Sequence, residues 1–337
     1  MMNFDPNIPT ILAVGMGLLA AFMWGSWFIT LKYLGDYPLE AFYLTLFLTS
    51  MVIVWSAGFI FDGPALIQNI TDVWHTSPSR VTVTLICGGL YVAGILMSLR
   101  VFQIIGLAVS QPIQASINII GGTAVSAWIG GVPEDLTTGR IVLAVGFLTA
   151  AVFLSMAAGR LRNRAQKAGN IDTGLSKDPK EISKAIILLI LGSLLIPAYT
   201  AGLSYGLKTI TQPAGLAPLP FMAVLCTGAF FSALLICGTR LTQRKQWTVF
   251  FHHGFRIHKL GVIAGFAHYG GNIVHTFATS NLSSVVSWPL GVTSGLWTQM
   301  WGLLFGEFEA APRRAYLLLG GGVLCYVAGA FIISNIL

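Results

Sequence analysis

Charge is what this 337-residue chain has least of: Asp, Glu, Lys and Arg together make up 9% of it, against about 25% in an ordinary soluble domain. With so few charged side chains it cannot clothe a water-facing globule, which excludes a soluble enzyme or nucleic-acid-binding domain. Carboxylates number 12, and none falls at the centre of an apolar run: Asp36, Glu40, Glu134, Asp135, Glu307 and Glu309 all sit at run ends. A carboxylate proton relay through hydrocarbon is therefore not expected. Cys87, Cys226, Cys237 and Cys325 lie inside apolar runs, with no CxxC pair and no clustered histidines. They read as small buried hydrophobes, and no disulfide, metal or other cofactor is expected. His252 and His253 have no carboxylate or thiol beside them to complete a metal site. No HExxH or paired intramembrane Asp is present, so a membrane-embedded enzyme is not expected. The opening MMNFDPN has no basic residue before the first apolar run, so a cleavable signal peptide is not expected either.

What the chain has instead is hydrophobicity, at 55% of residues and a mean hydropathy of +0.77. Apolar runs near the 20 residues that cross a bilayer recur throughout. Ten can be drawn, at 9–33, 39–61, 80–103, 106–130, 140–159, 184–207, 217–239, 258–279, 282–305 and 315–336. They predict an all-α membrane protein with ten transmembrane helices. Of the 19 Lys and Arg residues, 16 fall in or beside the loops after odd-numbered helices, and only Arg80, Arg140 and Lys208 near the even ones. By the positive-inside rule the odd loops are cytoplasmic and both termini lie outside, in a plasma or inner cell membrane. The net charge of +7 is thus a topology signal, and no nucleic-acid partner is implied. The loop RLTQRKQWTVFFHHGFRI (240–257) mixes basic and aromatic residues and suits an interfacial segment on anionic lipid.

Spacing reveals an internal repeat. Gly88, Gly94 and Pro112 are separated as Gly265, Gly271 and Pro289 are, and both halves run on through a Trp-containing stretch to a glycine–acid exit, GGVPED and FGEFEA. Two five-helix units follow, 1–160 and 184–337, joined by a polar linker, 161–183. An odd number of spans inverts the second unit relative to the first. The expected architecture is a 5+5 inverted repeat, the usual plan of a secondary transporter with its site at the midplane.

WGSW at 24–27, PIQASINIIGGTAVSAWIGG at 112–131 and LWTQMWGLLFGEFEAAPRRAYLLL at 296–319 resemble the drug/metabolite transporter superfamily, most closely its glucose/rhamnose uptake and ureide permease branch. That resemblance implies a cavity between the first, third, fourth, sixth, eighth and ninth helices, with the fifth and tenth as scaffold. Gly139, Gly146, Gly322 and Gly329 would then let the scaffold helices pack closely.

The polar residues inside the runs are the candidate site. His268, Asn272 and His275 in AHYGGNIVH fall within about 60° of one another on a helix. Gln111, Gln114 and Asn118 form a second stripe beside Pro112, while Ser294, Trp297, Thr298 and Trp288 cluster around Pro289. Trp24, Trp27, Tyr91 and Tyr199 are aromatic surfaces on which a ring can stack. Each has a bland alternative: histidines gluing helices through backbone carbonyls, amides clamping the Pro112 kink, aromatics as packing or interface anchors. On the functional reading, all of these bind substrate except His275, which joins His268 as a candidate proton-coupling group. Amides donate and accept together, which suits neutral polar cargo.

The leading expectation is a secondary transporter that takes up a small neutral polar solute, sugar-like or ureide/nucleobase-like, as a monomer or homodimer in contact with lipid. An exporter of drugs or hydrophobic metabolites is the alternative, with an enzyme or channel behind it.

Overall fold

The computed structural model describes residues 8–105, 107–168, 179–252, 254–306, 308–309 and 311–334. The fold is all-helical, with no strand among the described residues. Helix α1 (Thr10–Ser26) tightens into a 3₁₀ segment, Trp27–Tyr33, and is followed by α2 (Leu39–Phe61), the short α3 (Ala65–Thr76), α4 (Pro78–Ile105), α5 (Leu107–Gly130) and α6 (Thr138–Ala168). Next come α7 (Pro179–Leu195) and α8 (Ala198–Gly206) end to end, α9 (Pro218–Gln243), the short α10 (Trp247–His252) and α11 (Phe255–Leu282). The α12 (Ser284–Val292) and α13 (Ser294–Leu304) pair and α14 (Arg313–Ser334) complete the chain. Helix α6 runs eight residues into the stretch assigned to the linker and α7 begins inside it, so helix invades both ends of 161–183. What lies between, 169–178, is outside the described residues.

Proline sets many of these boundaries. Pro9, Pro38 and Pro64 precede α1, α2 and α3, and Pro218 opens α9, because a fixed φ and a missing N–H cost nothing in a first turn. Pro197 caps α8 and so interrupts the α7–α8 rod. Pro289 lies within α12, four residues before the α12–α13 break at Thr293.

Seven helical stretches are long and apolar enough to cross a membrane: Thr10–Tyr33, Leu39–Phe61, Pro78–Ser98, Thr138–Arg162, Lys180–Gly206, Pro218–Gln243 and Arg313–Ile333. Their outer faces carry Ile60, Val142, Leu194 and Leu324, each well over half exposed, a surface suited to hydrocarbon. The rods outside that set are α5, α11 and α12–α13, those carrying most of the polar and proline-broken sequence. Helix α11 has length to spare at 28 residues, but His258, Lys259, His268, Asn272 and His275 dilute its hydropathy.

Helix pairing follows a regular scheme. Helix α4 packs on α9 and on α7–α8, while α11 packs on α2 and on α1; α5 lies against α8 and α12, and α1 against α12 and α13. Helices α2 and α9 touch, and α6 forms an extensive seam with α14. The α4–α9 contact is backbone-close. A Cβ on Gly88 would run into the carbonyl oxygen of Leu225, and one on Gly228 into that of Leu85. Gly265 repeats the arrangement against α2, where a Cβ would sit 2.6 Å from the Leu46 carbonyl oxygen. On the α6–α14 seam Gly322 and Gly329 of α14 do lie close to α6, but a Cβ on Gly139 or Gly146 would meet nothing within 4 Å. The expectation of close packing at those two glycines is corrected: they face open space.

The two ends of the bundle are fastened differently. At the end holding the α1–α2 turn, Glu40 pairs with Arg240 at 3.7 Å and Arg244 at 3.2 Å, joining α2 to α9. At the other end the Arg80 guanidinium donates to the carbonyls of Tyr205 and Ala214 and lies over the Tyr205 ring at 5.1 Å.

Candidate functional site

A cavity of about 140 Å³ lies mid-bundle, with walls from α1, its 3₁₀ extension, α4, α5, α11, α12 and α13. Its polar lining is Ser98, Gln114, Asn118, His268 and Ser294; its aromatic lining is Trp24, Trp27, Phe28, Tyr91 and Trp288. These residues sit in the half of the bundle nearer the α1–α2, α4–α5 and α13–α14 connections.

Helix α11 supplies the polar centre. The His268 ring is edge-on to Trp27, with centroids 5.5 Å apart, and nearly parallel to Tyr91, whose Oη lies 3.2 Å from Nε2. Its Nδ1 is buried with no hydrogen-bond partner. One turn on, Asn272 Oδ1 accepts from the Trp24 indole N–H at 2.7 Å, and that N–H also reaches the His268 carbonyl at 3.2 Å. Because an indole N–H can only donate, this contact fixes the orientation of the amide and leaves Asn272 Nδ2 unpartnered. The close approach of Trp24 depends on Gly271, where a Cβ would lie 2.7 Å from the indole.

Across the cavity, Gln114 Nε2 donates to Ser98 Oγ at 2.7 Å, and Ser98 donates to the Gly94 carbonyl at 3.0 Å, so the α4 and α5 walls are tied by side chains. Trp288 Nε1 donates to the Asn118 carbonyl at 2.8 Å, seated in the gap left by Gly122. The Asn118 side-chain oxygen is buried and unpartnered.

The far side of the cavity is filled. His275 Nε2 lies 3.0 Å from the Ser287 carbonyl and Nδ1 3.4 Å from Tyr199 Oη, with Trp24 packed on the ring at 4.8 Å. Thr279 bonds the His275 carbonyl and Ser287 Oγ, both at 2.7 Å. Beyond them Ser204 and Ser284 join α8 to α12 at 2.7 Å, beside Gly130 of α5.

Of the residues singled out from sequence, Trp24, Trp27, Tyr91, Gln114, Asn118, His268, Trp288 and Ser294 thus line one cavity. Asn272, His275 and Tyr199 stand one layer behind it, fully buried in the closed side. Trp297 and Thr298 are elsewhere: Trp297 packs edge-on to Phe22 at 5.2 Å, and Thr298 bonds the Gly25 carbonyl at 3.1 Å, both serving the α1–α13 contact. The Gln111 side chain and Glu307 lie outside the described residues. Ser98 and Phe28 are lining residues that the sequence reading missed. Ser98 carries a signal in hindsight: it lies ten residues past Gly88, as His275 lies ten past Gly265.

The chain is similar to a solved structure described as "Crystal structure of protein", at 15% identity and a TM-score of 0.61, with 96% of each chain covered. That likeness is one of overall fold. No protein-family model matches the chain, and no curated protein matches it.

Proposed function

We propose that the protein is a secondary transporter for a small neutral polar solute, of the drug/metabolite transporter type. It spans a plasma or inner membrane ten times as two inverted five-helix repeats, 1–160 and 184–337, with both termini outside. The single observation that carries the reading is a mid-bundle cavity closed on one side by packed hydroxyls, imidazole and aromatics. Pairing supports the repeat: α4 against α9 and α7–α8 is matched by α11 against α2 and α1, while α2–α9 and α6–α14 pair across the two units. Equivalent positions also meet at the centre. Tyr91 stands three residues past Gly88, as His268 stands three past Gly265, and the two side chains bond to each other.

With odd loops in the cytoplasm, the filled side faces out and the structure is inward-facing. The cavity suits uncharged cargo, because Lys, Arg, Asp and Glu are absent from its described lining and an unpaired ion there would be costly. Its volume falls below the ~300–1,000 Å³ of drug-sized pockets. His268 and His275 are the groups we assign to proton coupling.

Export of a hydrophobic metabolite is the second reading, favoured by the number of aromatic and aliphatic side chains around the five polar ones. Uptake into proteoliposomes of matched neutral, anionic and cationic solutes decides between them. The proposal expects neutral polar solutes to be carried and Gln114→Ala and Asn118→Ala to raise KM, each by the equivalent of roughly 0.5–1.5 kcal/mol. Preference for an ion or an apolar cation, with both amide variants behaving as wild type, overturns it.

A further inference from the structure

The Tyr91–His268 contact has a direction. A phenolic O–H is a good donor and its oxygen a poor acceptor, while the bare nitrogen of a neutral imidazole accepts strongly. With the phenol as donor, the 3.2 Å contact between Oη and Nε2 is O–H···N, and the ring proton of His268 then sits on Nδ1. That nitrogen belongs to a residue lining the cavity and is itself buried without a partner. One turn along α11 and one layer behind the cavity, the Trp24 N–H occupies Asn272 Oδ1 in a comparable way and leaves Nδ2 without a partner. On the opposite wall the orphan is an acceptor, Asn118 Oδ1.

We propose that Tyr91 is a positioning residue that holds His268 as the Nδ1–H tautomer, so that the α11 wall presents a donor and the solute meets it with an acceptor such as a carbonyl oxygen. Asn118, on α5, receives a donor from the other side of the same solute. The cargo is then a compact neutral molecule with a hydrogen-bond acceptor and a donor on opposite edges. This rests on the proposed transport site, but the tautomer is readable without transport. A buried donor without a partner is destabilising in the empty protein, and an arriving acceptor relieves that cost, so affinity is concentrated at this point. Trp27, edge-on to His268, leaves the ring little freedom to flip and exchange its two nitrogens.

The test is nitrogen NMR on full-length protein carrying ¹⁵N-histidine, with His268 identified by its disappearance in His268→Asn. Wild type should show a protonated Nδ1 and a bare Nε2, and Tyr91→Phe should shift the ring toward the Nε2–H form. A protonated Nε2 in neutral wild-type protein, or an unchanged tautomer in Tyr91→Phe, overturns the proposal whether or not any solute is carried. Transport gives the second arm, with the neutral solute that wild type carries best as probe. Asparagine reproduces a donor near Nδ1, whereas the glutamine amide reaches toward Nε2. His268→Asn should thus keep KM within about threefold of wild type, and His268→Gln should raise it at least tenfold. Tyr91→Phe should raise KM several-fold with kcat within about twofold. The reverse order of the two His268 variants sinks the assignment even if Tyr91→Phe does not fold.

Discussion

The Trp24 indole N–H and Asn272 Oδ1 lie 2.7 Å apart across the α1–α11 interface, both buried. Trp24→Phe leaves that oxygen without its donor and should lower unfolding free energy in detergent by about 1–3 kcal/mol. Removing both partners by Trp24→Phe with Asn272→Leu should cost clearly less than the two single losses added together, since no polar atom is then stranded. A double-mutant cycle by thermal unfolding measures this, and strict additivity would show that the bond contributes nothing of its own.

Glycine substitutions should divide sharply by position. Gly88→Ala and Gly228→Ala each push a methyl into a carbonyl of the facing helix. Each should destabilise by about 1–3 kcal/mol or more through overpacking. Gly146→Ala meets open space and should be neutral or stabilising by up to about 1 kcal/mol, the helix-propensity gain. Melting curves of the three purified variants compare them directly, and equal losses would refute the α4–α9 contact.

The filled side of the cavity gives a test of alternating access. Ser204 and Ser284 touch at 2.7 Å between hydroxyls, within reach of disulfide geometry. A Ser204→Cys, Ser284→Cys double variant should cross-link under mild oxidation, stop uptake, and recover with reductant, while either single cysteine does neither. Full uptake by the cross-linked protein would mean that solute passes without parting α8 from α12.

Orientation can be read on intact cells lacking the four native cysteines. An impermeant thiol reagent should label Val132→Cys, between α5 and α6, and spare Gln243→Cys at the end of α9. The opposite pattern reverses both the membrane orientation and the direction in which the cavity faces.

Much of this was legible in the residues. Prolines mark helix starts because their chemistry is local, and the AHYGGNIVH stripe reaches the centre because α11 is one unbroken helix. Periodicity could not say how deep each polar group would sit: His268 reaches the cavity, while Asn272 and His275 are held one layer back by Trp24, Tyr199 and Ser287, partners distant in sequence. Trp297 and Thr298 lie away from this cavity for a different reason. They belong to α13, which starts after the break at Thr293 and lies against α1, so their side chains meet Phe22 and the Gly25 carbonyl, partners that no spacing along one helix reveals. The pairing of Ser98 with Gln114 depends on how α4 meets α5, which no single-helix pattern encodes.

The α6–α14 seam sets a boundary on motion. Leu148 packs where Gly329 leaves room, and Ser155 and the Ala151 carbonyl crowd Gly322, so these two helices are interlocked although one lies mid-chain and the other near the C-terminus. Tilting one against the other would disturb these contacts. In the proposed transport cycle, a displacement that opens the filled side would pivot on this shared spine, like two covers of a book on one binding.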